Sequence, residues 1–392
     1  MKIIKQSNLL SIDSLIKEKE ALLKKQRYVL LSTDDHLEHI ATYVAWKSVG
    51  GNVFILNANL PDGHKTKLLE KIDNTNLNNN VVFHTSGSTG VPKLVLHEEQ
   101  QLNQARIASE RTLGWNADTK WFNAVPASTS GFWHLVIPAL YSNNATIVLS
   151  SLQTLVDDFN KEDVNETIFV PGLIDMLKAK NISLDLSKLN RLTCGASQVL
   201  KRHAEYAFNN GVKIFNHAYG ATEICAPMLH RYAYDIDDHT EYMSLTPVCD
   251  NEYRIKNDEL QVRGASVCSN YRDFDTDDEW YKTKDLWEVN GDLIRFMGRS
   301  NDVIKINGCQ CSLLEIENLF ESDATTGECL AVPKQTRGIE WIELHHTGNI
   351  SDKIKQDAQA LLPKHSIPKK FVKIDSISKT NLGKKIRSSI NA

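Results

Sequence analysis

The residues best suited to chemistry lie in one short segment that is rich in hydroxyl groups and glycine. It runs from His84 to Lys93, H-T-S-G-S-T-G-V-P-K, directly after the apolar stretch 81–83. Glycines let backbone N–H groups converge on an anion, hydroxyls add donors, and a lysine adds positive charge. A polyphosphate requires this chemistry, so the segment predicts a phosphate-binding loop. A Ser/Gly-rich surface turn is the alternative that this composition alone leaves open.

The residues after this loop decide which kind of loop it is. A P-loop requires G-x-x-x-x-G-K-[ST] at the start of a helix. Here Lys93 continues into the apolar run 94–96, and a helix is predicted only from about Glu98. The sequence therefore predicts a hairpin across the phosphates.

Further blocks carry groups that a nucleotide substrate would need. The block Y-G-A-T-E, from Tyr219 to Glu223, offers an aromatic face for a base, a hydroxyl for a phosphate and a carboxylate for a metal. Asp285, in Y-K-T-K-D-L, is placed to accept from ribose hydroxyls. Two more blocks complete the series: G-R-S-N-D around Arg299, and N-L-G-K-K-I-R, which presents Lys384 on a glycine turn.

Alternating strands and helices must position these blocks. Helical patterns separate apolar segments that predict strands at 28–31, 53–56, 81–83, 146–149, 167–170 and 213–215. This alternation is typical of a parallel sheet with helices on its faces. After about residue 240 the strands become short and polar-interrupted, and residues 301–392 have the pattern of a small α+β unit.

Composition restricts the class of protein. At 392 residues the chain is long enough for two to three domains, and its 45 basic and 49 acidic residues give a net charge of -4. This balanced charge does not suggest a protein that binds nucleic acid through a strongly basic surface. No apolar run approaches the roughly 18 residues of a membrane span. The N-terminal residues do not have the pattern of a signal peptide. The seven cysteines are scattered along the chain, which does not suggest a disulfide framework. We therefore expect a cytoplasmic protein without nucleic-acid or membrane partners.

In their order, these blocks resemble the adenylate-forming superfamily of acyl- and aryl-CoA synthetases, nonribosomal-peptide adenylation domains and luciferases. The resemblance runs from about residue 28 to 390. It implies an α/β fold whose large N-terminal AMP-binding domain, 1–300, has parallel-rich sheets flanked by helices and a small β-barrel-like part. It also implies a small mobile α+β domain at 301–392, which swings about Asn301 and carries the catalytic lysine.

The resemblance further implies a role for each block. Thr222 would touch the α-phosphate, Glu223 would help hold Mg²⁺, and Lys384 would bridge the carboxylate and the α-phosphate. The residues implied to hold ATP are Thr85, Ser86, Gly87, Ser88, Thr89, Gly90 and Lys93 at the β- and γ-phosphates, Gly195, Ala196, Ser197, Tyr219 and Gly220 around adenine, and Asp285 and Arg299 at the ribose.

The implied reaction converts ATP and a carboxylate to an acyl-adenylate and pyrophosphate, after which the thiol of CoA takes the acyl group. A stand-alone enzyme that loads a carrier-protein phosphopantetheine is the alternative, and a catalytically degenerate nucleotide-binding paralogue is the third interpretation. The segment 125–134, V-P-A-S-T-S-G-F-W-H, contains no acid to pair with an ammonium. Burying an unpaired ammonium costs several kcal/mol, so an aryl or short acyl carboxylate is favoured over an amino acid. A homodimer is left open.

Some positions depart from the pattern or suggest other chemistry. Lys284 replaces the glycine that is usual before the ribose-binding aspartate, which puts the turn there in doubt. The first motif begins near residue 85, as in a compact variant similar to the short o-succinylbenzoate-CoA ligases. His36 and His39 lie three residues apart on a predicted helix, where a solvated face is the favoured interpretation over a metal site.

Overall fold

The computed structural model describes residues 2–5, 8–9, 11–57, 60, 62–85, 93–113, 115–137, 145–237, 242–244, 250–274, 276–300, 302–306, 309–323, 325–336, 339–379 and 385. The chain divides into two compact units. The first unit comprises residues 1–254 and 261–282, and the second unit comprises residues 255–260 and 283–392. The predicted boundary at 300/301 and the mobility of the smaller domain stay predictions. Within the described ranges, no helix is both long and apolar enough to cross a membrane.

The helices are α1 (Asp13–Lys25), α2 (His36–Val49), α3 (Asp62–Asp73), α4 (Glu99–Leu113), α5 (Leu155–Lys161), α6 (Pro171–Ala179), α7 (Lys201–Asn209), α8 (Leu313–Glu321) and α9 (Asp352–Leu361). The strands are β1 (Lys2–Lys5), β2 (Asn8–Leu9), β3 (Val29–Leu31), β4 (Val53–Ile55), β5 (Val81–Thr85), β6 (Lys93–His97), β7 (Lys120–Asn123), β8 (Thr146–Leu149), β9 (Glu166–Phe169), β10 (Arg191–Cys194), β11 (Phe215–Ala221), β12 (Ile224–Ala233), β13 (Tyr242–Ser244), β14 (Asn251–Lys256), β15 (Glu259–Gly264), β16 (Thr276–Asp277), β17 (Trp280–Asn290), β18 (Leu293–Arg299), β19 (Val303–Ile306), β20 (Cys309–Ser312), β21 (Cys329–Thr336), β22 (Ile339–His346) and β23 (Lys370–Lys373).

The first sheet of the first unit has the order β3-β4-β5-β6. Its first three strands run parallel, and β6 returns antiparallel to β5. Helix α2 begins where the Asp35 side chain accepts from the Leu37 N–H, and it ends at Gly50, whose φ of 72° suits glycine. Helix α2 joins β3 to β4, which pair in parallel, and the β5–β6 hairpin forms the far edge of the sheet.

The second sheet of the first unit has the order β12-β11-β10-β9-β7-β8-β1-β2. Strands from β11 to β1 pair in parallel, whereas the two outermost strands are antiparallel to their neighbours. Phe122, Phe169 and Phe215 are fully buried in the core beside it. Ligands of such sheets bind beyond the carboxyl ends of the strands, which is where residues 195–197 and 222–223 lie.

The second unit combines antiparallel strand pairs with two helices. Strands β17 and β18 pair antiparallel, β19 pairs with β20, and β22 lies between β21 and β23. Ile316 and Phe320 of α8 pack with Ile342 and Leu344 in one core cluster. The prediction of a mixed α/β chain with parallel-rich sheets and helices is confirmed.

Candidate functional site

The predicted phosphate loop joins two paired strands. Strands β5 and β6 are antiparallel, and Thr85 lies opposite Lys93. The expected hairpin is therefore confirmed, because Lys93 continues as a strand and helix α4 begins only at Glu99. Ser86, Gly87, Ser88, Thr89 and Gly90 lie outside the described residues. The ammonium of Lys93 stands 4.9 Å from the centroid of the Phe274 ring, a cation–π contact.

His84, next to Thr85, is a neutral side chain. Its Nε2 accepts a hydrogen bond of 3.2 Å from the Asn57 N–H. Burial lowers the pKa of His84 to about 4. Lys93 therefore supplies positive charge at this hairpin at neutral pH, and His84 does not.

The predicted adenine loop is pressed against strand β11. A Cβ atom added to Gly195 would lie 2.4 Å from the carbonyl oxygen of Ala218, so only glycine fits there. The next residue, Ala196, has a φ of 71°, in the left-handed region. Residues 195–197 follow β10, which runs parallel to β11. The structure thus places the Gly195–Ser197 loop beside the segment that carries Tyr219.

Thr222 and Glu223 form the turn between β11 and β12, where Ala221 lies opposite Ile224. Three hydrogen bonds support this turn. The Thr222 carbonyl accepts from His97 Nε2 at 2.8 Å, and its hydroxyl shares a bond of 3.0 Å with Ser130. The Glu223 carbonyl accepts from the Cys268 N–H at 2.8 Å. The half-buried Glu223 side chain adds carboxylate oxygens, the ligands that Mg²⁺ prefers.

Sequence reasoning missed the histidine beneath this turn. His97 is fully buried, and burial lowers its pKa to about 4. Since a carbonyl only accepts, Nε2 of the neutral ring must carry the proton that it donates to Thr222. The residues His97, Ser130 and Thr222 are far apart along the chain, and their contact follows from the pairing of strands. The only local signal was that His97 ends the strand that follows the predicted phosphate loop.

In the second unit, the two predicted ribose residues form an ion pair. Asp285 lies opposite Arg299 in the β17–β18 ladder. Arg299 Nε is 3.1 Å from Asp285 Oδ1, and the side chain of Asp285 is only 3% exposed, against 47% for Arg299. The Asp285 N–H also donates to the Thr283 hydroxyl at 3.1 Å. The structure therefore brings these two residues together in a defined geometry.

Lys284 keeps the unusual backbone that raised doubt about this turn. Its φ is 62°, in the region where a side chain costs roughly 1–2 kcal/mol. Its N–H donates to Glu259 Oε1 at 2.8 Å, and its carbonyl accepts from the Ser300 N–H at 2.8 Å. The conformation expected of a glycine is thus retained with a lysine in place.

Near the C-terminus, Lys384 lies outside the described residues, whereas its neighbour Lys385 is held within the second unit. Lys385 Nζ is 3.2 Å from Glu317 Oε2 and 2.6 Å from Glu321 Oε1. Burial acts to lower the pKa of Lys385, but the two carboxylates outweigh it, and the net pKa is raised. Both acids also accept backbone N–H groups, Glu317 from Ala331 and Glu321 from Cys329. Lys385 is therefore engaged in an ionic contact of the fold, which we call the Lys385 clasp.

The expectation of a solvated histidine face on α2 is wrong for His39. His39 is 0% exposed, donates from Nε2 to the Thr33 carbonyl at 2.8 Å, and accepts at Nδ1 from Trp133. His36 bonds the Val125 carbonyl at 3.0 Å. Both histidines connect α2 to neighbouring loops, because the helix packs against the core on the face that carries them.

The sequence model of AMP-binding enzymes matches residues 64–268, more than half of the 392 residues. Indoleacetate–CoA ligase of Aromatoleum aromaticum is 26% identical over 78% of this chain and 65% of its own length. Bacitracin synthase 3 of Bacillus licheniformis is 26% identical over 86% of this chain, which spans only 6% of that synthase. The chain thus spans less than two thirds of these two curated relatives.

Solved structures share the fold across the chain. O-succinylbenzoate coenzyme A synthetase of Bacillus subtilis, in complex with ATP and magnesium, has a TM-score of 0.84 at 16% identity and covers 100% of this chain and 96% of its own. ATP-bound MatB of Rhodopseudomonas palustris has a TM-score of 0.81 at 14% identity, covering 99% of this chain and 94% of its own.

Proposed function

We propose that this chain, which belongs to the AMP-binding enzyme family, is an ATP-dependent acid–thiol ligase. It forms an acyl-adenylate and pyrophosphate from ATP and a carboxylate, and then passes the acyl group to the thiol of CoA. The observation that carries the proposal is the contact of Gly195 with β11. It sets the loop of Gly195 against β11, the strand that bears Tyr219. This strand leads directly into the turn formed by Thr222 and Glu223.

The donor groups of the first unit fit a nucleotide with its magnesium ion. Gly195 allows the backbone to approach where a Cβ would collide, and Tyr219 offers a half-buried ring for stacking. Lys93 supplies a cation at the hairpin, and the Thr222 hydroxyl supplies a donor at the turn. Magnesium would screen phosphate charge when bound, with Glu223 as its protein ligand. His97 and Ser130 act on this turn from beneath and fix where Thr222 points.

The proposed catalytic cation is Lys384. A carboxylate and a phosphate repel each other, so their reaction requires positive charge where negative charge develops. A charge pair at about 4 Å is worth roughly 4 kcal/mol at an effective dielectric near 20, which corresponds to a hundredfold to a thousandfold in rate. Because the Lys385 clasp engages the neighbouring ammonium, the clasp supports Lys384 rather than Lys385 as the residue that meets the substrate.

For the carboxylate we propose an aryl or short acyl acid. The segment 125–134 offers no carboxylate for a substrate ammonium, and its residues Phe132 and Trp133 are fully buried and apolar. The relatives named for indoleacetate and o-succinylbenzoate support an aryl acid. The match to bacitracin synthase 3 favours a second candidate function, the loading of a carrier-protein thiol.

One assay tests the activity and the substrate class together. The purified chain is incubated with ATP, Mg²⁺, hydroxylamine and a panel of aryl, short acyl and amino acids, and the hydroxamate is measured. We expect aryl or short acyl acids to give product. Product from no acid would contradict the proposed activity. A competition between CoA and a holo carrier protein, run with the active acid and without hydroxylamine, then separates the two acceptors.

Lys384→Ala tests the proposed catalytic residue. We expect pyrophosphate exchange to fall by about a hundredfold or more, with ATP binding and the melting temperature retained. Lys369→Ala is the control, since it removes an exposed lysine of the second unit that lies before the N-L-G-K-K-I-R block. Undiminished exchange in Lys384→Ala would refute the assignment.

A further inference from the structure

Three side chains that can bind metals meet in the core of the first unit. They are His97 at the end of β6, His134 in the π-helical turn Phe132–Val136, and Cys225 in β12. One donor atom from each lies within 4.8 Å of the other two. Their relative exposures are 0%, 4% and 0%, so solvent does not compete for these atoms.

Two ring nitrogens of this cluster lack a hydrogen-bond partner within the described part of the chain. His97 Nδ1 and His134 Nε2 are both enclosed and without a hydrogen-bond partner there. Leaving a buried polar atom without a partner is energetically unfavourable. The centroids of the two rings are 5.0 Å apart, close enough for one bound group to satisfy both atoms.

The protonation of His97 suits it to be a ligand. Its Nε2 donates to the Thr222 carbonyl at 2.8 Å, which leaves the lone pair on Nδ1, the atom without a hydrogen-bond partner among the described residues. Metal-binding histidines typically donate their other N–H to a carbonyl or a carboxylate in this way. Burial lowers the pKa of His97 to about 4 and that of His134 well below its usual value, so both rings are neutral at pH 7.

We propose that His97 Nδ1, His134 Nε2 and Cys225 Sγ form a binding site for a soft d¹⁰ metal ion, copper(I). Thiolate and imidazole ligands select copper(I) and zinc over magnesium and calcium. On binding, the Cys225 S–H bond releases its proton to solvent and a metal–sulfur bond forms, without oxidation or reduction.

Charge balance selects copper(I) over zinc at this site. Copper(I), one thiolate and two neutral imidazoles sum to zero charge. Zinc(II) with the same ligands keeps one positive charge, which is costly in a fully buried place. Ligand atoms bound to one ion at about 2.0–2.3 Å lie roughly 3.5–3.9 Å apart, so atoms already within 4.8 Å of one another need to approach by at most about 1 Å on binding.

The proposal is tested on the full-length protein with copper(I) held by a chromogenic chelator. We expect one equivalent to transfer to the protein, and X-ray absorption to show one sulfur and two nitrogen neighbours. Cys225→Ser and His134→Gln should each weaken the transfer by at least about tenfold. Cys329→Ser, which alters a buried cysteine of the second unit, should leave it unchanged.

Transfer that is equally strong in Cys225→Ser would overturn the site, as would an absorption spectrum without sulfur. Zinc that displaces copper(I) at equal concentration would overturn the choice of ion. If a variant fails to fold, the spectrum of the unaltered protein still decides. None of these readouts depends on ligase activity, so the metal site and the proposed function can fail separately.

Discussion

The Thr222 turn of the first unit and the Lys385 clasp of the second unit are held by opposite kinds of chemistry. Uncharged groups, His97 and Ser130, support the turn, whereas a lysine between two glutamates forms the clasp. A neutral buried histidine resists charging, and a buried ion pair depends on charge. We therefore expect acid to lower the stability of the first unit through its buried histidines, and alkali to lower the stability of the second unit through Lys385.

The largest expected effect comes from removing the cation of the clasp. Lys385→Met leaves Glu317 and Glu321 buried and close together, which should lower the free energy of unfolding of the second unit by about 3–5 kcal/mol. Hydrogen exchange of peptides from residues 313–336 measures the loss. The triple variant Lys385→Met, Glu317→Gln, Glu321→Gln should recover most of it, because glutamine still accepts the two backbone N–H groups. If Lys385→Met were as stable as the unaltered protein, the clasp would not stabilise the second unit.

The same clasp predicts an alkaline limit. The pKa of Lys385 is raised in the folded state, so its contribution to stability is complete below the unfolded pKa and is lost as pH rises through the folded pKa. The free energy of unfolding of the second unit, measured by urea unfolding at several alkaline pH values, should therefore fall above about pH 10.5. In Lys385→Met this fall should be absent, and a persisting fall would assign it to other groups.

At acid pH the first unit should respond through His39. Burial lowers the pKa of His39 to about 4, so the unfolded state binds the proton first and stability falls as pH drops from 6.5 toward 4. Between pH 7 and pH 5 the loss attributable to this residue is about 2 kcal/mol. Urea unfolding at several pH values should show a shallower slope in His39→Gln. Lys385→Met serves as the control, since it should keep the slope of the unaltered protein.

The smallest effect concerns Lys284. Replacement by glycine relieves the left-handed backbone strain but adds unfolded-state entropy, so Lys284→Gly should raise the free energy of unfolding by about 1 kcal/mol. Thermal unfolding measures the gain. Lys282→Gly, at a strand position outside the left-handed region, should destabilise instead. A loss of stability in Lys284→Gly would show that the turn is relaxed with lysine.

Local patterns were enough to predict much of this architecture. The apolar run after Lys93 predicted the hairpin, and the alternation of strands and helices predicted the parallel-rich sheets, because both depend on neighbours in sequence. The Asp285–Arg299 pair joins two motifs of the resemblance. The roles assigned to Tyr219, Glu223 and Lys384 remain proposals.

Contacts between distant segments could not be predicted. The Lys385 clasp joins residues 64 and 68 positions apart, and the hydrogen bond from His97 to Thr222 spans 125. No periodicity records which buried histidine will meet which carbonyl. His39 was misjudged for the same reason, since a polar residue type predicts exposure while the packing of α2 decides it.

The contact between Gly195 and the Ala218 carbonyl bears on how this protein can diversify. Because two main chains touch there, any side chain at position 195 would push a loop away from its strand. Ala196 and Ser197 are exposed, but the φ of 71° at Ala196 favours glycine and asparagine there, whereas Ser197 meets neither constraint. A library that randomises all three codons should return glycine at the first in every folded clone, residues that tolerate the left-handed region at the second, and varied residues at the third.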